Sequence, residues 1–219
     1  MRMLRRNALS FLTCMPIAAA AGGASVATAA VPEEKPKTSG KILFVVTSHG
    51  ELGNTGRKTG YWLSEVTHPW KVLKDAGYEI DFVSPLGGEC PSEGIDASDP
   101  INKEFSQDLS AQKKINFTMK PSDVKPDEYK AIFFAGGHGV MWDFPDNKEL
   151  AAITSKIYEN GGVVAAVCHG PAGLVNVKLS NGKYLVEGKK INSFTNSEEK
   201  GIGLDKVCLL YTSDAADDL

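Results

Sequence analysis

Three apolar runs of strand length each stop at a turn rich in glycine or histidine. Lys41–Thr47 (KILFVVT) meets Ser48-His49-Gly50, Tyr129–Ala135 (YKAIFFA) meets Gly136-Gly137-His138-Gly139, and Val163–Val167 (VVAAV) meets Cys168-His169-Gly170-Pro171. None alternates apolar with polar residues, so each needs cover on both faces, as strands of a parallel sheet have. Ile80–Val83 is a further strand. Between them lie helical patterns. Gly60–Ala76 carries Trp62, Val66, Trp70 and Leu73 at helical spacing, with Pro69 starting, kinking or interrupting it, and Asn147–Tyr158 has Glu149 in its first turn and stops at Asn160-Gly161-Gly162. Residues 172–176 begin a helix, and Tyr184–Glu187 with Lys190–Phe194 read as a hairpin around Gly188. Strands alternating with helices predict an α/β doubly wound parallel sheet, whose ligands sit beyond the carboxyl ends of the strands.

The chain has 219 residues, 42% of them hydrophobic, which suits a single domain with a real core. Its formal charge of -3, with no basic stripe interleaved with aromatics, argues against nucleic acid or an anionic membrane as partner. Cysteines at 14, 90, 168 and 208 have neither the paired spacing of a zinc site nor the density of a disulfide scaffold, and His49, His68 and His138 fit no standard ligand set, so no metal is expected.

Both ends differ from the middle. Arg2, Arg5 and Arg6 precede an uncharged, Ala-rich stretch that lasts to Glu33, and Ala27-Thr28-Ala29 supplies small residues for cleavage. Residues 1–29 therefore read as an export signal and 30–40 as a linker, placing the mature protein outside the cytoplasm with no stable membrane association. The competing reading is a membrane anchor, which the Gly, Ser and Thr content and Pro16 weaken. Arg5-Arg6 resembles a twin-arginine signal without the usual polar residue ahead of it. Loss of the three arginines takes the formal charge to -6. At the other end, 207–219 (VCLLYTSDAADDL) changes character abruptly and reads as a tail foreign to the 41–206 domain, a short frayed end being the alternative.

Cys168 stands where a buried strand must bend sharply into a helix. A small residue before and a glycine after let the backbone turn and push one side chain into the cleft, which is the logic of a nucleophile elbow. A helix N-terminus there favours a thiolate, and His169 adds a hydrogen-bonding neighbour. The plainer alternative is a small buried cysteine that ends a core strand. Backbone N–H groups of Gly136 and Gly137, free of Cβ atoms, could approach an oxyanion on the cysteine. Glu65 lies on a helix otherwise displaying Trp62, Val66 and Trp70. It is either turned to solvent or a buried acid that can move protons, and spacing alone leaves this open.

Jointly, ILFVVTSHG, TGYWLSEVTHPW, FFAGGHGVMWDFPDN, GGVVAAVCHGPAGL and INSFTNSEE resemble the ThiJ/PfpI superfamily, closest to its glyoxalase III and heat-shock chaperone branch, over residues 41–206. The resemblance implies a flavodoxin-like sandwich, which here would lack its C-terminal helix and strand. It implies Cys168 as nucleophile, His169 as its base, Glu199 (or its neighbour Glu198) as the acid orienting that histidine, and Glu65 as the acid bonded to the sulfur. The N–H groups of Gly137 and His169 would bind an oxyanion, with His138 and Trp142 lining the pocket. The implied activity is a glutathione-independent conversion of methylglyoxal, a small aldehyde, to lactate, without a cofactor and in a homodimer; holdase chaperone and protein deglycase activities are the alternatives within the superfamily. A class I glutamine amidotransferase would need a histidine far downstream of the elbow, and none follows His169. A cysteine peptidase would need a more open cleft than the Trp142 and Phe144 loop suggests.

Overall fold

A computed structural model describes residues 38–208. The expected signal at 1–29, most of the linker and nearly all of the 207–219 tail lie outside them. In chain order the elements are β1 (Gly40–Val45), β2 (Tyr61–Trp62), α1 (Leu63–Asp75), β3 (Tyr78–Val83), β4 (Ser92–Glu93), α2 (Pro100–Gln107), α3 (Leu109–Asn116), β5 (Tyr129–Phe134), α4 (Val140–Asp143), α5 (Lys148–Glu159), β6 (Val163–Ala166) and α6 (Asn196–Gly201). Strands β3-β1-β5-β6 form one parallel sheet in that order, and β2 with β4 form a short parallel pair.

The central strand explains why both faces had to be apolar. Ile42, Phe44 and Val46 point into a cluster with Val66 and Trp70 of α1, Phe105 of α2 and Ile115 of α3. Leu43 and Val45 point the other way, to Ile132 and Phe134 of β5 and to Leu150, Ile153 and Ile157 of α5. Phe44 and Phe134 are fully buried, and truncating either to alanine would cost about 3–5 kcal/mol.

Helix α1 is shorter than its apolar pattern, because Tyr61 and Trp62 leave it to pair with Ser92 and Glu93. Pro69 does not end it: the helix runs through to Asp75, without the bond that a residue with an N–H would send to the Glu65 carbonyl. The hairpin expected around Gly188 does not form. Leu185 N–H instead bonds Val177 O, Glu187 and Lys189 turn back on Tyr184 and Val186, and the Phe194 N–H is taken by Cys168 O. After the elbow comes only a 3-10 turn, Gly170–Leu174. Among the described residues β6 is the sheet's edge, with Val163 63% exposed, so its apolar run is only partly covered.

Candidate active site

Strands β5 and β6 end side by side, and the cleft opens beyond them. Cys168 has φ 55°, the one positive value among the described non-glycine residues. Such a conformation costs about 1–3 kcal/mol and persists only where the surroundings hold it. Here Val167 N–H bonds Phe134 O, Gly170 N–H bonds Val167 O, and Cys168 O accepts from Phe194 N–H at 2.9 Å and from the Ser193 hydroxyl at 3.2 Å. Gly170 is required because a Cβ there would lie 2.4 Å from Phe134 O. The bend expected of a nucleophile elbow is therefore present.

His169 is 1% exposed and its ring reaches both ways: Nδ1 lies 3.2 Å from Cys168 Sγ, and Nε2 lies 2.5 Å from Glu199 Oε1. An Nε2–H donated to the carboxylate leaves the Nδ1 lone pair facing the thiol, the tautomer a base needs. Burial lowers the proton affinity of His169, Glu199 opposing it, which keeps the ring neutral and able to accept. Glu199, 2% exposed, and not Glu198, takes this place. Glu198 turns its carboxylate to Thr195 as part of a capping box on α6.

Glu65 faces the cysteine from α1. Its Oε2 accepts the Gly136 N–H at 2.7 Å, and it is hydrogen-bonded to the Cys168 side chain. Burial raises its pKa, which answers the question that helical spacing left open. Gly136 thereby differs from the expectation: its N–H anchors Glu65 and is unavailable to an oxyanion. Gly137 and His169 do turn their N–H groups to the sulfur. Gly137 has φ +97°, and a Cβ on it would sit 2.2 Å from Gly60 O.

The expectation of a thiolate set up by a helix N-terminus is not met. Burial first, then the Glu65 carboxylate, pushes Cys168 up to about 12, against the N–H groups of Gly137 and His169. A five-residue 3-10 turn has too few aligned peptides to offset that. The sulfur and Glu65 thus share a proton in the resting site, and ionisation of the thiol needs His169 to take one.

His138 caps this array. Its backbone N–H donates to Glu93 Oε1 at 2.9 Å, and its ring centroid lies 4.5 Å from that of His169, whose other neighbour is Phe194, also at 4.5 Å. Trp142 stacks on His49 at 4.9 Å and 10°, a wall on the β1 side of the cleft. Glu93 was absent from the sequence reading. It reaches the site only because β4 pairs with β2, where it also accepts from the Thr59 hydroxyl at 3.1 Å and raises the pKa of Glu65 by its charge. No local pattern in PSEG signals this. Among the described residues, His138, Glu199 and Cys208 are the one group of three such donor side chains that gathers closely, and its carboxylate is shared with His169. Cys90, Cys168 and Cys208 are free thiols.

The model of the DJ-1/PfpI family matches residues 58–219. Glutathione-independent glyoxalase HSP31 of Saccharomyces cerevisiae is 39% identical over 176 residues, covering 76% of this chain and 73% of its own. Glyoxalase 3 of Candida albicans is 36% identical over 180 residues, covering 76% and 74%. Among solved structures, the Rapid Encystment Protein 24 KDa of Francisella tularensis superposes with a TM-score of 0.77 at 40% identity, covering 82% of this chain and 80% of that one. Glyoxalase III of Candida albicans gives 0.69 at 33%, covering 76% and 73%. With its parallel sheet, its elbow cysteine and these relatives, the chain belongs to the DJ-1/PfpI family.

Proposed function

We infer that the protein is a glutathione-independent glyoxalase that converts methylglyoxal to lactate. The observation that carries the reading is the continuous array Cys168–His169–Glu199, with Glu65 against the same sulfur, in a chain 39% identical to a glyoxalase of that kind.

The chemistry follows from where protons can sit. His169 takes the thiol proton as Sγ bonds the aldehyde carbon, and that proton passes to the former aldehyde oxygen, giving a hemithioacetal. The N–H groups of Gly137 and His169, both at the sulfur, are placed to hold the oxygen while it carries charge. Glu65, once ionised, removes the hydrogen on the sulfur-bearing carbon. The electron pair moves to the neighbouring ketone oxygen, which takes the proton back from Glu65 to give an enediol; Glu65 then removes the hydroxyl proton on the sulfur-bearing carbon and delivers it to the second carbon. The product is a lactyl thioester, which water hydrolyses to lactate and the free thiol. A carboxyl raised by burial, as Glu65 is, suits this transfer because it holds a proton more readily than an exposed carboxylate does.

The test is consumption of methylglyoxal and appearance of lactate without glutathione. Cys168→Ala should abolish both while leaving the fold intact; lactate formation at the unmodified rate by that variant would end the proposal. Suppression of client aggregation by both proteins, with lactate from neither, would support a holdase. Export and a homodimer remain part of the proposal, supported by the Arg2, Arg5 and Arg6 pattern and by the resemblance respectively. The N-terminal mass of the secreted protein and sedimentation test them.

A further inference from the structure

Glu199 has one oxygen strongly held and one that is not. Oε1 is bonded to His169, whereas Oε2 makes no hydrogen bond to a nitrogen or oxygen although the residue is 2% exposed, and only the Cys208 thiol, a weak donor, bonds the carboxylate from elsewhere. A buried carboxylate oxygen with no strong donor is costly to keep charged. Its imidazole neighbour on that side is His138 Nε2, 3.6 Å away, which also makes no hydrogen bond. The gap is too long for a hydrogen bond and too short to admit a water. A proton on Nε2 and a shift of a few tenths of an ångström would close it into a charge-assisted bond.

A second carboxylate lies on the other side of His138. Glu93 holds the residue from the other side, accepting its backbone N–H at 2.9 Å and lying 3.6 Å from Nδ1. The imidazole therefore has a carboxylate at each nitrogen. The groups facing it are Glu93 from β4, Glu199 from α6, Glu65 from α1, His169 at the elbow and the Cys208 thiol. Of these only His169 can add a second positive charge, and its ring is 4.5 Å away. Two imidazolium rings at that range repel, so a proton on one discourages a proton on the other.

We propose that His138 is a positioning residue for the reaction, a second imidazole on Glu199 anchored by Glu93, whose proton keeps His169 in the neutral form that accepts from Cys168. His138 touches neither the sulfur nor the migrating hydrogen in this role. It acts through the shared carboxylate and through its charge, and it would extend the working range of the base to lower pH. The Coulombic effect of His138 on His169 has this sign. The inference rests on the glyoxalase reading only for its kinetic readout.

The experiment compares the wild-type protein with His138→Phe, which keeps a ring against His169 but carries no proton, and with His138→Gln, which keeps a neutral donor toward Glu199. The His169 imidazole is titrated by NMR, and alkylation of Cys168 by iodoacetamide and kcat/KM for methylglyoxal are followed against pH. In His138→Phe the His169 titration and the acidic limb of both rate profiles should move up by about one unit, a roughly 10-fold loss on that limb with the plateau less affected. His138→Gln should move them the same way by less, and it decides the matter if the Phe variant does not fold. A limb and a titration that stay in place, whether rates are unchanged or fall evenly at all pH, would overturn the proposal. If the wild type does not turn over methylglyoxal, the glyoxalase reading fails while the NMR and alkylation arms still decide the role of His138.

Discussion

Cys168, His169 and the glycine that bends the chain around them lie within residues 168–170, whereas the carboxylates that face them arrive from α1, β4 and α6. The first region is fixed by steric fit: a positive φ, a clamped carbonyl and a glycine with no room for a Cβ. The second is fixed by protons: carboxyl groups whose charge depends on burial and on one another. A rigid nucleophile beside a protonically adjustable wall suits a reaction that forms one bond to sulfur and then moves hydrogen between carbons. The two regions should therefore fail in different ways, the carboxylate wall by loss of rate and the backbone of the elbow by loss of fold.

Apart from loss of the nucleophile itself, the largest effect is expected at the wall. Glu199→Gln keeps the size of the side chain but replaces the charged acceptor of the His169 Nε2–H with a group that can equally present its NH2, allowing the wrong tautomer. Turnover should fall about 10²–10⁴-fold, as loss of an orienting acid does in hydrolase triads, with little change in the thermal midpoint. A variant as active as wild type would show that His169 is held by packing between Phe194 and His138 alone. Glu65→Gln comes next. Its amide oxygen can still accept the Gly136 N–H, so the fold should survive, but the side chain no longer ionises. The loss in kcat/KM should be about 10²–10³-fold, within the range for one general acid–base group, and it should persist across pH rather than shift a limb.

These two carboxylates also mark what sequence can show. The elbow was legible because its parts are adjacent in the chain: an apolar strand, a cysteine and a Gly-Pro exit have one economical geometry. The parallel sheet was legible for the same reason, since Ile42 to Val46 announce two buried faces. Glu199 came only through family resemblance, and for Glu65 helical spacing left two readings open that the resemblance decided, because the contacts that define them cross 30 and 71 residues of chain. Glu93 came from neither route. It depends on a two-residue pairing of β4 with β2, whose hydrogen bonds belong to the backbone and leave no periodicity to read. The thiolate expectation erred in weighing a helix end against nothing, when burial and a neighbouring carboxylate outweighed it.

At the elbow, Gly170→Ala tests steric fit directly. The added methyl would meet the Phe134 carbonyl at 2.4 Å, in backbone that cannot rotate away, so destabilisation of about 2–4 kcal/mol is expected. Gly201→Ala, with nothing within 4 Å of its Cβ, is the control and should stay within about 0.5 kcal/mol. Equal denaturation midpoints for the two variants would show that the elbow yields, and the contrast between the regions would weaken.

The smallest effect asks whether a tuned carboxyl is peculiar to the wall around Cys168. Asp143, on α4 at the β1 side of the cleft, accepts the Thr47 hydroxyl and the Ser48 N–H, both at 2.8 Å. Burial nevertheless pushes its pKa up to about 6, the two bonds and His49 acting in the other direction. In the unfolded chain the group titrates near 3.9. The folded state therefore binds this proton more tightly, and the stability it contributes is full below pH 4 and is lost as pH rises through about 6. The loss should be roughly 2 kcal/mol. Asp143→Asn cannot ionise, but its amide can satisfy only one of the two donors, so it should be less stable than wild type at pH 4 by about 1 kcal/mol. Urea unfolding of both proteins from pH 4 to 7 should show wild type start above the variant, cross it as pH rises through about 6 and end below it; parallel curves would mean that the Thr47 and Ser48 bonds hold Asp143 ionised throughout, and that tuned carboxyls belong to the cysteine's surroundings alone.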